Sequence, residues 1–264
     1  MPRYDQHFLV SPETADSIVR AAGISPGQSV LEIGPGRGAL TERLLNAGAR
    51  LTAVEIDARL AQDIERRLGA PEGLRVVCAD FLTMDLSALG EPRKVVGNLP
   101  YSVATPILQR LLDWPVWISA VLMFQKEVAR RILAGPGEDG YSLLSLSIRI
   151  KARAEQVCAV ARSAFRPPPR VDSTVVLLDR LPRPDLPEDV QEAAFFRIAR
   201  AAFAHRRKLA SKSISFATGI DRPKIEAAFA RAGIDASARA EDISPEGFIK
   251  LARALKDFCG TFAG

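Results

Sequence analysis

The run Val30-Leu31-Glu32-Ile33 passes without a break into Gly34-Pro35-Gly36-Arg37-Gly38, and this junction constrains the fold more than any other part of the chain. A short aliphatic run of this kind reads as a buried strand. Glycines directly after it let the backbone turn sharply and approach a ligand closely. The stretch from Ala39 to Ala47 then reads as a helix stopped by Gly48. The same rhythm repeats downstream. Strands are expected at Leu51–Glu55, Arg75–Cys78, Lys94–Val96 and Ile118–Phe124, with helices at Asp57–Leu68 and Thr105–Leu112. Upstream, Ser11-Pro12-Glu13 sets a hydroxyl cap, a first-turn proline and an acid at the positive end of a helix that closes near Gly23. Strands alternating with helices imply a parallel sheet covered on both faces. Such sheets bind ligands beyond the carboxyl ends of their strands, where Glu55, Asp80 and Asn98 all fall.

The later part of the chain changes character. After the turn-rich loop Gly135–Gly140, Leu144–Ile150 and Ser173–Leu178 read as the last strands, paired antiparallel. Pro182, Pro184 and Pro187 form a stiff linker. Beyond it, apolar residues recur at helical spacing: Phe195, Ile198, Ala202 and Phe203, then Ile225, Ala228 and Phe229, then Phe248, Leu251 and Leu255. The expected organisation is an α/β domain over residues 1–184 and a small all-helical domain over 185–264.

Composition narrows the class. No apolar run spans a bilayer and the first residues lack a signal peptide's apolar core, so a cytoplasmic protein with no membrane partner is expected. Cys78, Cys158 and Cys259 form no CxxC pair, and the only histidines are His7 and His205, so neither a disulfide framework nor a metal site is expected. The formal net charge is +5, and the cations cluster: Arg206, Arg207, Lys208 and Lys212 in one stretch, Arg149, Lys151 and Arg153 in another, and Arg162, Arg166 and Arg170 around a proline run. This distribution favours a nucleic-acid partner, although a solvated helix face would carry the same charges.

Gly34-x-Gly36-x-Gly38 occurs in methyltransferases, yet with Ala39 it also satisfies the dinucleotide pattern G-x-G-x-x-A. Glu55 at the end of the next strand suits two ribose hydroxyls in either case. Asp80-Phe81 after the third strand offers a carboxylate for an adenine amine and a backbone N–H for a ring nitrogen. Asn98-Leu99-Pro100-Tyr101 then points to S-adenosylmethionine and to methylation of an amine on a planar ring. Such an amine is a poor nucleophile, because its lone pair is delocalised. It needs acceptors, from the Asn98 side chain and the Leu99 and Pro100 carbonyls, and an aromatic face from Tyr101. Phe165, held by Pro167-Pro168-Pro169, is expected to supply the opposite face.

These motifs together resemble the small-subunit ribosomal RNA adenine N6,N6-dimethyltransferases, from Gln6 to the C-terminal helices. The matching stretches are Gln6-His7-Phe8-Leu9, Leu31–Gly36, Asn98–Tyr101, Gln125–Ala129, Phe165–Ser173, Arg206-Arg207-Lys208 and Arg239–Ser244. The resemblance implies a Rossmann-like S-adenosylmethionine-dependent methyltransferase domain followed by a small helical domain. It also implies dimethylation of two adjacent adenosines near the 3′ end of small-subunit rRNA during subunit assembly. It places His7 and Leu9 over the cofactor. The expected cofactor set is then His7, Leu9, Gly34, Gly36, Glu55, Ile56, Asp80, Phe81 and Asn98, and the expected RNA contacts are Arg206, Arg207, Lys208 and Lys212. A monomer acting on rRNA or the small ribosomal subunit is expected. Asp5 stands where the family usually has glycine, only Arg3 remains of a basic arm, and Leu209-Ala210-Ser211-Lys212 replaces an arginine-containing continuation. These departures bear on RNA binding, not on the chemistry. The alternatives are a large-subunit rRNA methyltransferase, a catalytically weak assembly factor, and an NAD-dependent oxidoreductase, which leaves the Asn98–Tyr101 tetrad unexplained.

Overall fold

The computed structural model describes residues 6–69, 71–205 and 207–256. Arg3, Asp5, Arg206 and Cys259, singled out above, lie outside the described residues. In chain order the elements are β1 (Phe8–Leu9), α1 (Pro12–Ala22), β2 (Ser29–Ile33), α2 (Thr41–Asn46), β3 (Arg50–Glu55), α3 (Ala58–Leu68), β4 (Leu74–Cys78), β5 (Lys94–Asn98), α4 (Ala104–Asp113), β6 (Ser119–Gln125) and α5 (Lys126–Leu133). They continue with α6 (Leu143–Lys151), β7 (Ala152–Val160), β8 (Phe165–Arg166), β9 (Ser173–Arg180), α7 (Glu192–Phe203), α8 (Ala210–Thr218), α9 (Arg222–Ala232) and α10 (Pro245–Ala254). The contacts group residues up to Ala129 with Arg153–Arg180 in one compact unit, and Arg130–Ala152 with the chain from Leu181 onward in a second.

The first unit is built on a seven-stranded sheet of order β4-β3-β2-β5-β6-β9-β7. Pairing is parallel from β4 through β6, and β9 runs antiparallel to β6. The chain leaves β2 toward β3 and β4, then returns to lay β5 on the other side of β2. That reversal opens a crevice beyond the carboxyl ends of β2 and β5. Val30, Leu51, Val96 and Val121 join Ala15, Ile18 and Ala22 of α1 and Leu44 of α2 in one apolar cluster. Leu31, Val54, Val95 and Leu122, on the opposite face, are also buried, as a sheet covered on both faces requires. The caps read in the sequence are present: Ser11 accepts the Thr14 N–H and Gly23 closes α1 in the left-handed region; Asp57, expected inside its helix, is the cap of α3 and accepts the Arg59 N–H.

In the second unit, Phe195, Ile198, Phe229, Phe248 and Leu251 form a core that also takes Ala134, Tyr141, Leu146 and Ile150. Residues 130–152 therefore belong with the helices, although the boundary expected at residue 184 placed them with the sheet. Leu144–Ile150, expected as a strand, is helical. Its alternating Leu144, Leu146, Ile148 and Ile150 mimic a strand because α6 is buried on most sides. The intervening serines bond back to carbonyls, Ser147 to Leu143 and Ser145 to Arg131, so they need no solvent. The strand after it, β7, was not anticipated from the sequence.

The closest fit in the sheet is at Gly97 in β5. A Cβ there would lie 2.9 Å from the Ile33 carbonyl oxygen and 3.0 Å from Leu99 Cδ2. Gly97→Ala is expected to lower stability by about 1–3 kcal/mol by forcing β5 away from β2, measured as a fall in the denaturant midpoint.

Candidate active site

All the residues expected to hold a cofactor, together with Leu99, Pro100 and Tyr101, line one cleft in the first unit, beyond β2, β3, β4 and β5. The space among these residues, open solvent at its mouth included, is about 1020 Å³. The glycine loop forms its floor. Gly34 and Gly36 both have positive φ, at 70° and 56°. A Cβ on Gly36 would meet the Phe8 ring at 3.2 Å. The Gly34 N–H donates to the Val54 carbonyl, and the Gly36 N–H donates to Glu55 Oε2 at 3.0 Å. Glu55 Oε1 accepts the Asp57 N–H, so both oxygens are fixed at the end of β3 with lone pairs to spare. Asp80 is held by the Leu82 N–H on Oδ1.

Asn98 closes β5. Its Nδ2 donates to the His7 carbonyl at 3.1 Å, which turns Oδ1 away from that bond and leaves it without a donor among the described residues. The Pro100 carbonyl, one of the expected acceptors, is engaged by the Val103 N–H, so Leu99 supplies the freer carbonyl. The Tyr101 hydroxyl shares a 2.6 Å hydrogen bond with Ser173 Oγ. Burial raises the Tyr101 phenol above its ordinary pKa, against the opposing effect of the Ser173 bond. The His7 ring lies 5.4 Å from the Tyr101 ring at 32°, and its Nδ1–H donates to the Pro167 carbonyl. Arg37 covers the Phe8 ring at 4.4 Å.

Phe165 is not in the cleft, contrary to the expectation that it faces Tyr101. It pairs with Leu9 across β8 and β1 and is fully buried in the core of the first unit. The short β1 strand draws its side chain inward, so the ring beside Tyr101 is that of His7. Arg207, Lys208 and Lys212 are exposed in the second unit.

One cleft residue was missed in the sequence. Glu32, in the middle of β2, is 1 % exposed; its Oε2 accepts the Thr41 hydroxyl at 2.8 Å, and its Oε1 has no partner. Burial, reinforced by the charge of Glu55 and opposed by the Thr41 bond, pushes its pKa up to about 8. The signal was there: a lone acid inside an aliphatic strand. The unmet oxygen of this acid, behind the glycine loop, offers a hydrogen-bond acceptor to a ligand donor.

The chain as a whole matches the family profile "Ribosomal RNA adenine dimethylase" over residues 1–257. It belongs to that family. "Ribosomal RNA small subunit methyltransferase A" of Phenylobacterium zucineum is 42 % identical over 95 % of this chain and 86 % of its own length. The protein of the same name from Thermosynechococcus vestitus is 37 % identical over 96 % of each. Among solved structures, a dimethyladenosine transferase from Plasmodium falciparum superposes with a TM-score of 0.81 at 26 % identity, covering 96 % of this chain and 98 % of its own. The 23S rRNA methyltransferase ErmE superposes at 0.73 with 31 % identity, covering 94 % and 99 %.

The dimethylase family uses S-adenosylmethionine, and the cleft fits that molecule. Glu55 would hold ribose hydroxyls and Asp80 the adenine amine, and the unpartnered Glu32 oxygen would accept a hydrogen bond from the methionine ammonium. Among the described residues no helix is long and apolar enough to cross a membrane, and no group of three potential ligands could hold a metal ion.

Glu32 makes stability depend on pH. Its folded pKa, about 8, lies above its ordinary 4.5, so the folded state holds a proton that the unfolded state has released. Its contribution is complete below about pH 4.5 and is lost as pH rises through 8. Glu32→Gln keeps an acceptor for Thr41 and cannot ionise. Chemical denaturation between pH 5 and 8, values spanning that window, should show a decline in the unmodified protein that is flattened in the variant. An equal decline in both would assign it elsewhere.

Proposed function

We propose that this enzyme methylates the N6 amines of two adjacent adenosines near the 3′ end of small-subunit rRNA, twice each, in the cytoplasm during subunit assembly. The observation that carries the reading is the Asn98 amide, oriented by the His7 carbonyl so that Oδ1 is left for a donor inside the cofactor cleft. The names of the relatives support the small-subunit substrate. In this reading the sheet domain performs the chemistry and the helical domain holds the RNA through Arg206, Arg207, Lys208 and Lys212.

S-adenosylmethionine supplies, when bound, an electrophilic methyl carbon on a sulfonium. The protein supplies position. Asn98 Oδ1 and the Leu99 carbonyl accept the N6 hydrogens, both in the first transfer and the remaining one in the second, and draw the nitrogen lone pair out of conjugation. Tyr101, pinned by Ser173, presents its face to the unstacked base. Neither an amide oxygen nor a carbonyl retains a proton, so the proton lost by the amine passes to solvent. Orientation and hydrogen bonding then account for most of the rate.

The direct test is transfer from labelled S-adenosylmethionine to small subunits lacking the modification, with the product mapped by mass spectrometry. Dimethyladenosine at two neighbouring sites is expected. Cofactor and subunit binding without transfer would instead indicate an assembly factor. Asn98→Ala should lower transfer by about 10²-fold or more with the thermal midpoint unchanged; normal turnover would remove Asn98 from the chemistry. Tyr101→Phe, losing one hydrogen bond, should cost less than about tenfold, whereas Tyr101→Ala, losing the stacking face, should cost more, read as single-turnover rates.

A further inference from the structure

Within the helical unit, Phe216 on α8 is 73 % exposed, more than any other exposed large hydrophobic residue of the described chain. The others in that group, Val10, Ile56, Ile118 and Val171, all belong to the first unit. Its neighbours are cations and a second ring. Lys208 Nζ lies 4.8 Å from the Phe216 ring centroid, and the His205 ring meets it edge-on at 5.1 Å and 63°. Lys212, exposed, sits one turn before Phe216 on the same face of α8. Neither lysine pairs with a carboxylate among the described residues, and the sequence between Glu192 and Asp221 contains no acidic residue.

We propose that Phe216 is a stacking platform for one unpaired RNA base, with Lys208 and Lys212 holding the phosphates beside it. An aromatic face open to solvent beside un-neutralised cations is the combination that binds single strands with little sequence preference. Within the helical unit a protein partner of apolar chemistry would find Phe216 alone among the exposed large hydrophobic residues described; a polyanion finds charge complementarity and a face to stack on. The inference deepens the rRNA reading above and rests on it for the source of the RNA. It adds a requirement: the helical unit grips an unpaired nucleotide, not only a duplex backbone.

The test uses the full chain and two probes, a fluorescein-labelled oligoadenylate and a blunt RNA duplex of equal length, titrated by anisotropy at several salt concentrations. Phe216→Ala is expected to weaken oligoadenylate binding about tenfold while leaving duplex binding and the salt slope unchanged. Phe216→Trp should restore the affinity. Lys208→Gln with Lys212→Gln should weaken both probes and flatten the slope. Unchanged oligoadenylate binding by Phe216→Ala, or equal losses on both probes, would overturn the platform. If oligoadenylate binding depends on Phe216 but small subunits are not methylated, the platform stands and the substrate reading falls.

Discussion

The fit of β5 against β2 at Gly97 is the constraint on which the site depends. Glu32 pairs in register with Val96, so the glycine loop and Asn98 leave the sheet side by side. A Cβ on Gly34 would come within 3.8 Å of the Asn98 carbonyl oxygen, which measures how near the two chain ends are. Any side chain at Gly97 acts on that spacing directly. Cofactor floor and target acceptor are thus one piece of sheet geometry, set by hydrogen bonds that neither loop makes.

On this frame the acidic side chains divide by environment. Glu55 is buried but doubly bonded by backbone N–H groups. Glu32, one strand away, has a single hydroxyl for one oxygen and nothing for the other. Leaving a buried acceptor unmet costs about 1–3 kcal/mol. A ligand donor that reached this oxygen would offset that cost on binding.

Much of this was legible in the sequence because the signals are local. Ser11-Pro12 and Gly23 mark helix ends with their own side chains or backbone freedom. The glycine loop, Glu55, Asp80 and the Asn98–Tyr101 tetrad each follow a recognisable strand. What was illegible depends on distant partners. The alternating apolar residues of α6 satisfy strand periodicity and helix burial alike, and only the surrounding core decides between them. Phe165 beside its proline run looks presented, but its pairing with Leu9 turns it into the core. The orientation of the Asn98 amide is set by a carbonyl at His7, far away in the chain.

That carbonyl ties the N-terminal segment to the chemistry. Residues 6–9 are held from several sides: Asn98 on the His7 carbonyl, the His7 ring on the Pro167 carbonyl, Leu9 and Phe8 in the ladder with β8, and Arg37 on the Phe8 ring. The same segment lines the cofactor cleft and stands beside Tyr101. Displacing it removes the acceptor that orients Asn98 and the ring against Tyr101 in a single motion. In the proposed mechanism the Asn98 acceptor is therefore aimed only while the wall of the cleft is in place, and a base reaching the site without that wall would meet an amide free to turn its donor toward the amine.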